Sequence, residues 1–351
     1  MYEQGVIRPP SEASSLLIRV TRNCPWNQCL FCPAYKGVKF SKRTVEEVKE
    51  DIDSMADEIR GNSSVKTAFL QDADSLILPV DDLVAILDHL KERFPKIDRI
   101  TTYARARTLK QKSIDDLKRI RQAGLTRIHT GMESGSTKVL QMIKKGITPE
   151  DVVTGGRHVM EAEIELSEYI MPGIAGRALS EEHAIETAKL LNLVRPNFIR
   201  VRTFAMHPQS PMQKMVREGT FVPLTDDEII AEIRLLVNHL DSMHSYFSCN
   251  DFSLNLLMQV DGFLDEKKEY MLSELDAFLS MTKKQRQVYT LLHYSGYSRH
   301  PLSVVKDQNV MGQVVPEIEK LERSGGESGF DDYIRMLKTY QLPQPQTDHW
   351  C

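Results

Sequence analysis

The chain has 351 residues, of which 45 are basic and 49 are acidic, and its formal net charge is −4. Proteins that bind nucleic acids usually carry a basic excess, because neutralisation of phosphates supplies most of their affinity, so this balance argues against a DNA or RNA partner. No apolar run reaches the roughly 18 residues that span a membrane, and the first residues lack the basic and then apolar layout of a secretory signal. We therefore expect a cytoplasmic globular protein.

Six β-like segments recur along the chain, separated by segments with the apolar spacing of helices. Strands that alternate with helices in this way predict repeated βαβ units and a parallel sheet. Such units close partly into a barrel or lie open as a doubly wound sheet, and in both cases ligands collect at the carboxyl ends of the strands. The six segments are SLLIRVT (15–21), VKTAFLQ (65–71), RITTYAR (99–105), RIHTGME (127–133), IELSEYIM (164–171) and FIRVRTFAM (198–206).

The pattern changes beyond Leu224. From there the sequence favours helices over 225–243 and 266–294, and no further strand is predicted. We therefore place a boundary at this point, between a domain of residues 1–224 and a mainly helical region of residues 225–351.

Three of the five cysteines lie in one loop directly after the first predicted strand. Cys24, Cys29 and Cys32 have the spacing C-x4-C-x2-C, and thiolates so close in sequence converge readily on one metal centre. A structural zinc site requires four ligands, usually in two separated pairs, and a ferredoxin-like cluster also takes four cysteines. Three thiolates fit a 4Fe–4S cluster whose fourth iron stays open. Zinc, and structural cysteines without a metal, are the alternative interpretations.

The two other cysteines do not form a second pair, because Cys249 and Cys351 are about a hundred residues apart. Apolar neighbours favour simple packing for Cys249, and Cys351 ends a polar tail. The odd cysteine count and the dense spacing of the loop suit a metal or redox site better than a disulfide framework.

The cysteine loop and the six units together resemble the radical S-adenosylmethionine (SAM) superfamily. That family places a three-cysteine loop after the first strand of a partial (β/α)6 TIM-like barrel, usually as C-x3-C-x2-C with an aromatic residue before the last cysteine. The segment CLFC (29–32), with Phe31 in the aromatic position, matches the second half of that signature. Four residues, rather than the usual three, separate Cys24 from Cys29. Pro25 favours a turn there, so we expect the same cluster on a locally altered backbone.

Other segments resemble the branch of the family that contains oxygen-independent coproporphyrinogen oxidase and the methylthiotransferases. GMESG (131–135) is similar to the fourth-strand segment that binds SAM, and ELSEYIMPGIAGR (165–177) is similar to the fifth-strand segment whose turn edges the adenine. Through this resemblance we expect contacts with the cofactor from Phe31, Asp72, Asp74, Arg105, Glu133, Ser134, Ser167, Met171 and Arg177.

Several of these expectations have structural alternatives. Asp72 and Asp74, expected to accept N–H bonds from the SAM amino group, also suit a loop or a helix cap. Either Arg105 or Arg107 is expected to hold the SAM carboxylate, because the arginine fork suits that group. A solvated surface pair is the alternative for the two arginines.

The resemblance implies a radical reaction. Cys24, Cys29 and Cys32 hold three irons of a 4Fe–4S cluster, and SAM chelates the fourth. One electron from a flavodoxin or ferredoxin leads to reductive cleavage of SAM, and the resulting 5′-deoxyadenosyl radical abstracts hydrogen from a small-molecule or peptide substrate. An open cluster of this kind implies anaerobic operation.

Two other functions remain alternatives. One is a tRNA- or protein-modifying enzyme of the same superfamily, and the other is a non-catalytic carrier of an iron–sulfur cluster or of haem. The helical region of residues 225–351 is expected to cover the barrel mouth, and no membrane partner is expected.

Overall fold

A computed structural model of the chain describes residues 2–5, 7–59, 65–251, 253–296, 300–340 and 342. The tail that ends in Cys351 lies outside these residues. The described residues form two compact units, one within 2–132 and 144–169 and the other within 133–143 and 170–342. The boundary predicted at Leu224 falls within the second unit and stays a prediction.

All six strands predicted from the sequence are present. The last of them ends five residues before the predicted segment does, and two short strands follow it. A two-residue antiparallel ladder also joins Thr21–Arg22 to Ser41–Lys42. The longer strands are β1 (Leu16–Arg19), β2 (Thr67–Gln71), β3 (Arg99–Tyr103), β4 (Leu125–Glu133), β5 (Glu165–Ile170), β6 (Phe198–Val201), β7 (Tyr246–Ser248) and β8 (Asp261–Phe263).

Helices fill most of the connections, and several begin at the side-chain caps that their sequences offer. Thr44, Thr148 and Thr225 each form a capping box with the residue three positions later. The α-helices are α1 (Val45–Glu58), α2 (Val80–Arg93), α3 (Ala106–Gln111), α4 (Ile114–Ala123), α5 (Thr137–Met142), α6 (Pro149–Glu161), α7 (Gly176–Val194), α8 (Met212–Arg217), α9 (Asp226–His239), α10 (Leu264–Leu279), α11 (Lys283–Gly296), α12 (Gln308–Gly325) and α13 (Gly329–Thr339). Short 3-10 helices span Pro10–Glu12, Ser75–Ile77, Leu302–Lys306 and Gly326–Ser328.

The first unit is built on a parallel sheet in which β1 to β5 lie side by side in sequence order. The pairs β1–β2, β2–β3 and β3–β4 are all parallel. Ile18, Phe69 and Ile128 on these strands are fully buried, as expected for a parallel sheet that is covered on both faces. In the same unit α1 packs against α2 and α3 packs against α6. The predicted α/β class with a parallel sheet is confirmed.

The second unit contains the two strands that the sequence did not predict. β6 pairs in parallel with β7, and β7 pairs in antiparallel fashion with β8. The expectation of no strand beyond residue 224 was therefore wrong. Each of these strands has only three residues, too few to show an alternating pattern. Burial of Phe247 opposite Ile199 is a tertiary contribution that a local sequence cannot reveal.

The remainder of the second unit is mainly helical, as predicted for the C-terminal region. Within the described part of the chain, none of the helices is both long and apolar enough to cross a lipid bilayer.

Candidate cofactor site

The cysteine loop begins directly after β1 and the short ladder at Thr21–Arg22. Cys24, Cys29 and Cys32 are not joined in disulfide bonds, and each residue is partly exposed. The N–H of Asn27 donates to the Cys24 Sγ at 3.4 Å. All three cysteine residues of the loop are thus partly open to solvent, although the Cys32 thiol is enclosed enough that burial raises its pKa.

Two asparagines shape the backbone of the loop. Asn23 and Asn27 have φ values of +71° and +46°, in the left-handed region that Asn tolerates better than most residues. The Asn27 side chain donates to the carbonyl oxygens of Tyr35 and Val38, and the Lys36 Nζ donates to the Asn27 carbonyl at 2.7 Å. Asn27 thus ties the lengthened first interval of the cysteine motif to the residues that follow the loop.

Asp72 joins both ends of the loop to the end of β2. Its buried carboxylate accepts the Nε–H of Arg19 at 2.8 Å, the N–H of Asn23 at 3.0 Å and the hydroxyl of Tyr35 at 3.2 Å. Burial raises the pKa of Asp72, and the nearby Arg19 limits that rise. In the structure Asp72 holds the loop in place, and its contact with SAM stays a prediction.

Asp74 and Arg105 connect the loop to the end of β3. The buried Asp74 accepts the Thr108 hydroxyl at 2.5 Å and the Arg105 backbone N–H at 3.4 Å, and desolvation raises its pKa to about 6. The Arg105 guanidinium lies 5.2 Å from the centroid of the Trp26 ring and donates to the Gly146 carbonyl at 3.2 Å. Arg105 is therefore held beside the cysteine loop, while its contact with the SAM carboxylate stays a prediction.

Three consecutive residues after α5, Lys144, Lys145 and Gly146, also contact the loop. The Trp26 Nε1–H donates to the Lys144 carbonyl at 2.8 Å, and the Lys145 Nζ lies 5.7 Å from the centroid of the Phe31 ring. Gly146 has a φ of +71°, and a β-carbon there would lie 2.3 Å from the indole. Sequence reasoning missed this contact, for which the glycine after two lysines was the local signal.

The thiols of the loop influence one another. Burial raises the pKa of Cys32 and the neighbouring Cys24 raises it further, whereas Lys145 and Lys36 lower it. Thiolates that repel each other in this way are stabilised by a cationic metal centre. The donor set, three thiols on one anchored loop, fits an iron–sulfur cluster.

A single metal ion fits less well. A zinc site places its sulfur ligands about 2.3 Å from the ion, and in the part of the chain that the structure describes no group of three or more His, Cys, Asp or Glu side chains has such an arrangement. Cysteines at the corners of an iron–sulfur cube lie farther apart than the ligands of one ion, so this finding concerns an ion rather than a cluster.

The second unit contains the turn that follows β4. Glu133 is mostly buried with a φ of +60°. The Ser134 Oγ accepts the Ser136 N–H at 3.1 Å and lies 2.8 Å from the His183 Nδ1 on α7. A β-carbon on Gly135 would lie 2.2 Å from a backbone carbonyl oxygen of α7, so only glycine fits there. The turn is thus fixed against α7.

The turn after β5 also belongs to the second unit. The Met171 N–H donates to the Glu133 carbonyl at 3.0 Å, and the Gly173 N–H donates to the Glu232 Oε1 at 2.7 Å. Desolvation raises the pKa of the buried Glu232 to about 7, and it lowers the pKa of the buried His183, 3.6 Å away, to about 4. The geometry brings Glu133, Ser134 and Met171 together, and His183 and Glu232 behind them were not identified from the sequence.

Two predicted residues are placed differently. Arg177 is largely exposed, forms an ion pair with Glu228 at 2.7 Å and lines a cavity of about 320 Å³ between α7 and α9. Ser167 is fully buried on β5 in the first unit. The cofactor contacts of both residues stay predictions.

Comparison with known proteins identifies the family. A model described as the radical SAM superfamily matches residues 18–191. The tRNA uridine(34) acetyltransferase of Methanocaldococcus infernus is 20% identical over 119 residues, which are 34% of this chain and 22% of that protein. The chain thus spans about a fifth of the length of this curated relative.

Solved structures of radical enzymes and of an Elp3 protein are similar to this chain. The cobalamin-dependent S-adenosylmethionine radical enzyme OxsB is 15% identical with a TM-score of 0.52, over 94% of this chain and 59% of that chain. The Methanocaldococcus infernus Elp3 with an N-terminal deletion is 13% identical with a TM-score of 0.46, over 74% and 62%. The likeness to OxsB confirms the predicted TIM-like α/β fold with a mainly helical C-terminal region. With this fold, the cysteine loop and the family match, the chain belongs to the radical SAM superfamily of enzymes.

Proposed function

We propose that this enzyme cleaves SAM reductively at a 4Fe–4S cluster and abstracts hydrogen from a small-molecule or peptide substrate. The single observation that carries the proposal is the cysteine loop, in which Cys24, Cys29 and Cys32 are partly exposed although Asp72 anchors the loop. Thiols that serve only for packing are buried, as Cys249 is.

When bound, the cluster and SAM supply the electron and the 5′-deoxyadenosyl radical of this chemistry. The residues of the first unit bind and orient these groups. Cys24, Cys29 and Cys32 ligate three irons, Phe31 packs beside them, and the planar fork of Arg105 binds the SAM carboxylate. Asp72 fixes the backbone that carries the ligands.

Residues of the second unit, after β4 and β5, are proposed as further contacts with SAM through the family resemblance. The left-handed conformation of Glu133 presents its carbonyl to the Met171 N–H, and the resemblance to the family supports a contact between its carboxylate and a polar group of SAM. Ser134 adds a hydroxyl, and the Met171 backbone edges the adenine. Asp74, Ser167 and Arg177 are proposed as further contacts.

Anaerobic reconstitution tests this proposal. The chain is purified without oxygen, loaded with iron and sulfide, reduced with dithionite and given SAM, and 5′-deoxyadenosine is quantified by liquid chromatography. We expect about four irons per chain, formation of 5′-deoxyadenosine, and loss of both in Cys29→Ala. Cys249→Ala is the matched control, because that buried cysteine lies in the second unit.

Other outcomes would favour other functions. Four bound irons without cleavage of SAM would indicate a carrier of the cluster or of haem. One zinc per chain and no brown chromophore would exclude both the enzyme and the cluster carrier.

A tRNA-modifying enzyme is the second candidate, because the curated relative is named a tRNA uridine(34) acetyltransferase. The chain's net charge of −4 counts against it. Total tRNA added to the reconstituted protein discriminates the two: a tRNA-modifying enzyme binds it in a gel-shift assay and forms 5′-deoxyadenosine faster in its presence. If tRNA does not bind and the rate of 5′-deoxyadenosine formation does not change, a small-molecule or peptide substrate is supported.

We place this activity in a reducing, anaerobic cytoplasm, with a flavodoxin or ferredoxin as the electron donor. The three cysteines of the loop support this placement, because they are not in disulfide bonds and such thiols persist in reducing compartments.

A further inference from the structure

A short segment of the first unit, residues 3–5, lies at the carboxyl end of the parallel sheet. It contacts Arg19 and Gln71, which are the last residues of β1 and β2. Ligands of parallel α/β folds bind at this end of the sheet. The contacts that the chain makes with its own segment therefore indicate which kind of ligand this place accepts.

Three arginines converge on the carboxylate of Glu3. The Arg22 Nε and Nη2 each donate to it at 2.9 Å, and the Arg19 Nη1 donates to it at 2.9 Å. The Arg43 Nε lies 3.5 Å from the Glu3 Oε2. Burial acts to raise the pKa of Glu3, but the hydrogen bond from Arg22 and the charges of the arginines outweigh it and leave the pKa lowered. This position is therefore built for an acidic side chain.

The three arginines do not depend on Glu3 for their burial, since each has a second acidic partner. These ion pairs are Arg19–Asp72 at 2.8 Å, Arg22–Glu47 at 3.0 Å and Arg43–Asp51 at 2.5 Å. Glu3 is the carboxylate that all three arginines share. Another carboxylate can take its place without leaving an arginine unpaired.

The Glu3 carboxylate does not satisfy the site completely. The Arg43 Nε is buried and, within the part of the chain that the structure describes, it forms no hydrogen bond. Its distance of 3.5 Å from the Glu3 Oε2 is longer than an N–H···O bond. Because a buried N–H without an acceptor is unfavourable, a carboxylate that can move closer to Arg43 would bind more strongly than Glu3 does.

Two residues further on, the site accepts only glycine. The Gln71 side chain accepts the Gly5 N–H at 3.0 Å and donates to the Gly5 carbonyl at 3.2 Å. A β-carbon on Gly5 would lie 2.6 Å from the Asp72 Oδ1. That carboxylate is held by three hydrogen bonds from the chain, so moving it away is costly.

The residue between these two positions is recognised through its backbone alone. Gln4 is exposed, and its carbonyl accepts the Arg19 Nη1–H at 3.3 Å. The Glu3 N–H donates to the Asp51 Oδ2 at 3.2 Å. Main-chain hydrogen bonds combined with selective side-chain positions are the usual way in which proteins bind peptides. The arrangement thus reads the pattern Glu-X-Gly, and we call the residues that read it, Arg19, Arg22, Arg43, Gln71 and Asp72, the peptide site.

The peptide site adjoins the cysteine loop, because Arg22 is two residues before Cys24 and the Asp72 carboxylate also accepts the N–H of Asn23. We propose that the peptide site receives a Glu-X-Gly segment of a peptide substrate, and that residues 3–5 occupy it as an intramolecular competitor. The inference rests on the proposed function, within which it selects a peptide substrate over a small molecule.

Synthetic peptides test the pattern. The probe is a fluorescein-labelled peptide with the sequence YEQGVI, that of residues 2–7, and fluorescence polarisation measures its binding. Three matched peptides change one position each: YQQGVI removes the charge, YEQAVI adds a β-carbon, and YEAGVI alters the exposed position. We expect the Kd to rise at least tenfold for YQQGVI and YEQAVI and to stay the same for YEAGVI. Equal Kd values for all four peptides would overturn the proposal.

A variant of the chain tests the competition. Glu3→Gln weakens the hold of residues 3–5 on the peptide site, so the Kd of the probe should fall at least tenfold relative to the native chain. Glu46→Gln is the matched control, because it removes the same charge from an exposed residue in the first turn of α1. The control should bind the probe like the native chain. Absence of tighter binding in Glu3→Gln, or equal tightening in both variants, would refute the competition.

Other occupants of the site are distinguished by two further measurements. If inorganic phosphate displaces the probe with a Kd as low as that of the probe itself, the arginines bind a free anion. If the native chain sediments as a dimer and Glu3→Gln as a monomer, the site holds the segment of a second copy. Either result would overturn the proposal.

The last experiment asks whether the bound peptide is a substrate. Reconstituted Glu3→Gln protein receives dithionite, SAM and a library of peptides in which EQG is flanked by random residues, and the control library carries QQG instead. Formation of 5′-deoxyadenosine should rise at least fivefold more with the first library. Equal formation with both libraries would show that the peptide site does not serve the substrate. If no 5′-deoxyadenosine forms at all, the proposed function fails, while the polarisation data still decide whether the site binds Glu-X-Gly peptides.

Discussion

The indole of Trp26 occupies the space that a side chain at position 146 would need: a β-carbon on Gly146 would lie 2.3 Å from the ring. Gly146 also has a φ of +71°, which an alanine adopts only with strain. We expect Gly146→Ala to displace Trp26, to lower the free energy of unfolding by about 2 kcal/mol and to reduce the iron content after reconstitution. Urea unfolding and iron analysis measure the two effects.

Gly312→Ala is the matched control. Gly312 lies within α12, and a β-carbon there has no atom of another element within 4 Å. Alanine in a helix interior is favoured over glycine by up to about 1 kcal/mol, so this variant should be unchanged or more stable and should retain its iron. Equal losses in the two variants would contradict the role of the Trp26–Gly146 contact.

Asp72 is a buried anchor, and its loss should be costly. Asp72→Asn leaves the Arg19 guanidinium without the charge it contacts at 2.8 Å, although Glu3 still pairs with Arg19 at 2.9 Å. Because a buried ion pair that loses one partner destabilises strongly, we expect a loss of about 3 kcal/mol in urea unfolding. Asp81→Asn, which breaks an exposed pair with Arg119, should cost at most about 0.5 kcal/mol. Similar values for both variants would show that Asp72 does not anchor the loop.

Glu232 should make stability depend on pH. Burial raises its pKa from 4.5 to about 7, so the folded chain binds this proton more tightly than the unfolded chain does. Its contribution to the free energy of unfolding is fully present below pH 4.5 and is lost as the pH rises to about 7, a change of up to about 3 kcal/mol. Glu232→Gln stays neutral, so the stability gained by this variant should grow from near zero at pH 4 to its maximum at about pH 8. Urea unfolding at four pH values measures the difference.

Two nearby titratable groups, His183 and Glu228, affect how this pH dependence is measured. The lowered pKa of His183 has the opposite sign, since its contribution is lost as the pH falls from 6.5 towards 4, but it is common to both proteins and cancels in the difference. For Glu228, burial acts to raise the pKa, yet the ion pair with Arg177 outweighs it and leaves the pKa lowered. Glu228→Gln should therefore lose stability at high pH, where Glu232→Gln gains it.

One of Arg105 and Arg107 was expected to hold the SAM carboxylate, and in the structure Arg105 contacts the loop residue Trp26. Arg105 lies over that ring, whereas Arg107 is exposed on α3. We expect Arg105→Ala to weaken the binding of SAM to the reconstituted protein at least tenfold, because charge-assisted hydrogen bonds contribute about 1.5–3 kcal/mol. Arg107→Ala should bind SAM normally. Calorimetry of both variants decides, and a reversed result would assign the carboxylate to Arg107.

The sequence was sufficient to predict the strands that carry the site. Apolar periodicity and the spacing of Cys24, Cys29 and Cys32 are local features, and they predicted the six strands, most of the helices and the position of the loop. The three-residue strands β7 and β8 were missed, because pairing with a neighbour rather than local pattern stabilises them.

The contacts that hold the cysteine loop in place could not be predicted from the sequence. The hydrogen bond from Trp26 to Lys144 joins residues 118 positions apart, and no periodicity connects them. Asp72 was expected to contact SAM through the family resemblance, which stays a prediction, and the three bonds that its carboxylate accepts from the chain itself were not foreseen. Burial and partner choice of this kind depend on tertiary packing, which one sequence does not display.

The large separation in sequence between Trp26 and the residues it contacts has a consequence for biosynthesis. The cysteines of the loop are translated before the residues that secure it, which include Asp72 and, much later, Gly146. In a nascent chain still attached to the ribosome, the three thiols therefore lack these supports until more than a hundred further residues have emerged. We expect that loading of the proposed cluster follows synthesis of most of the first unit.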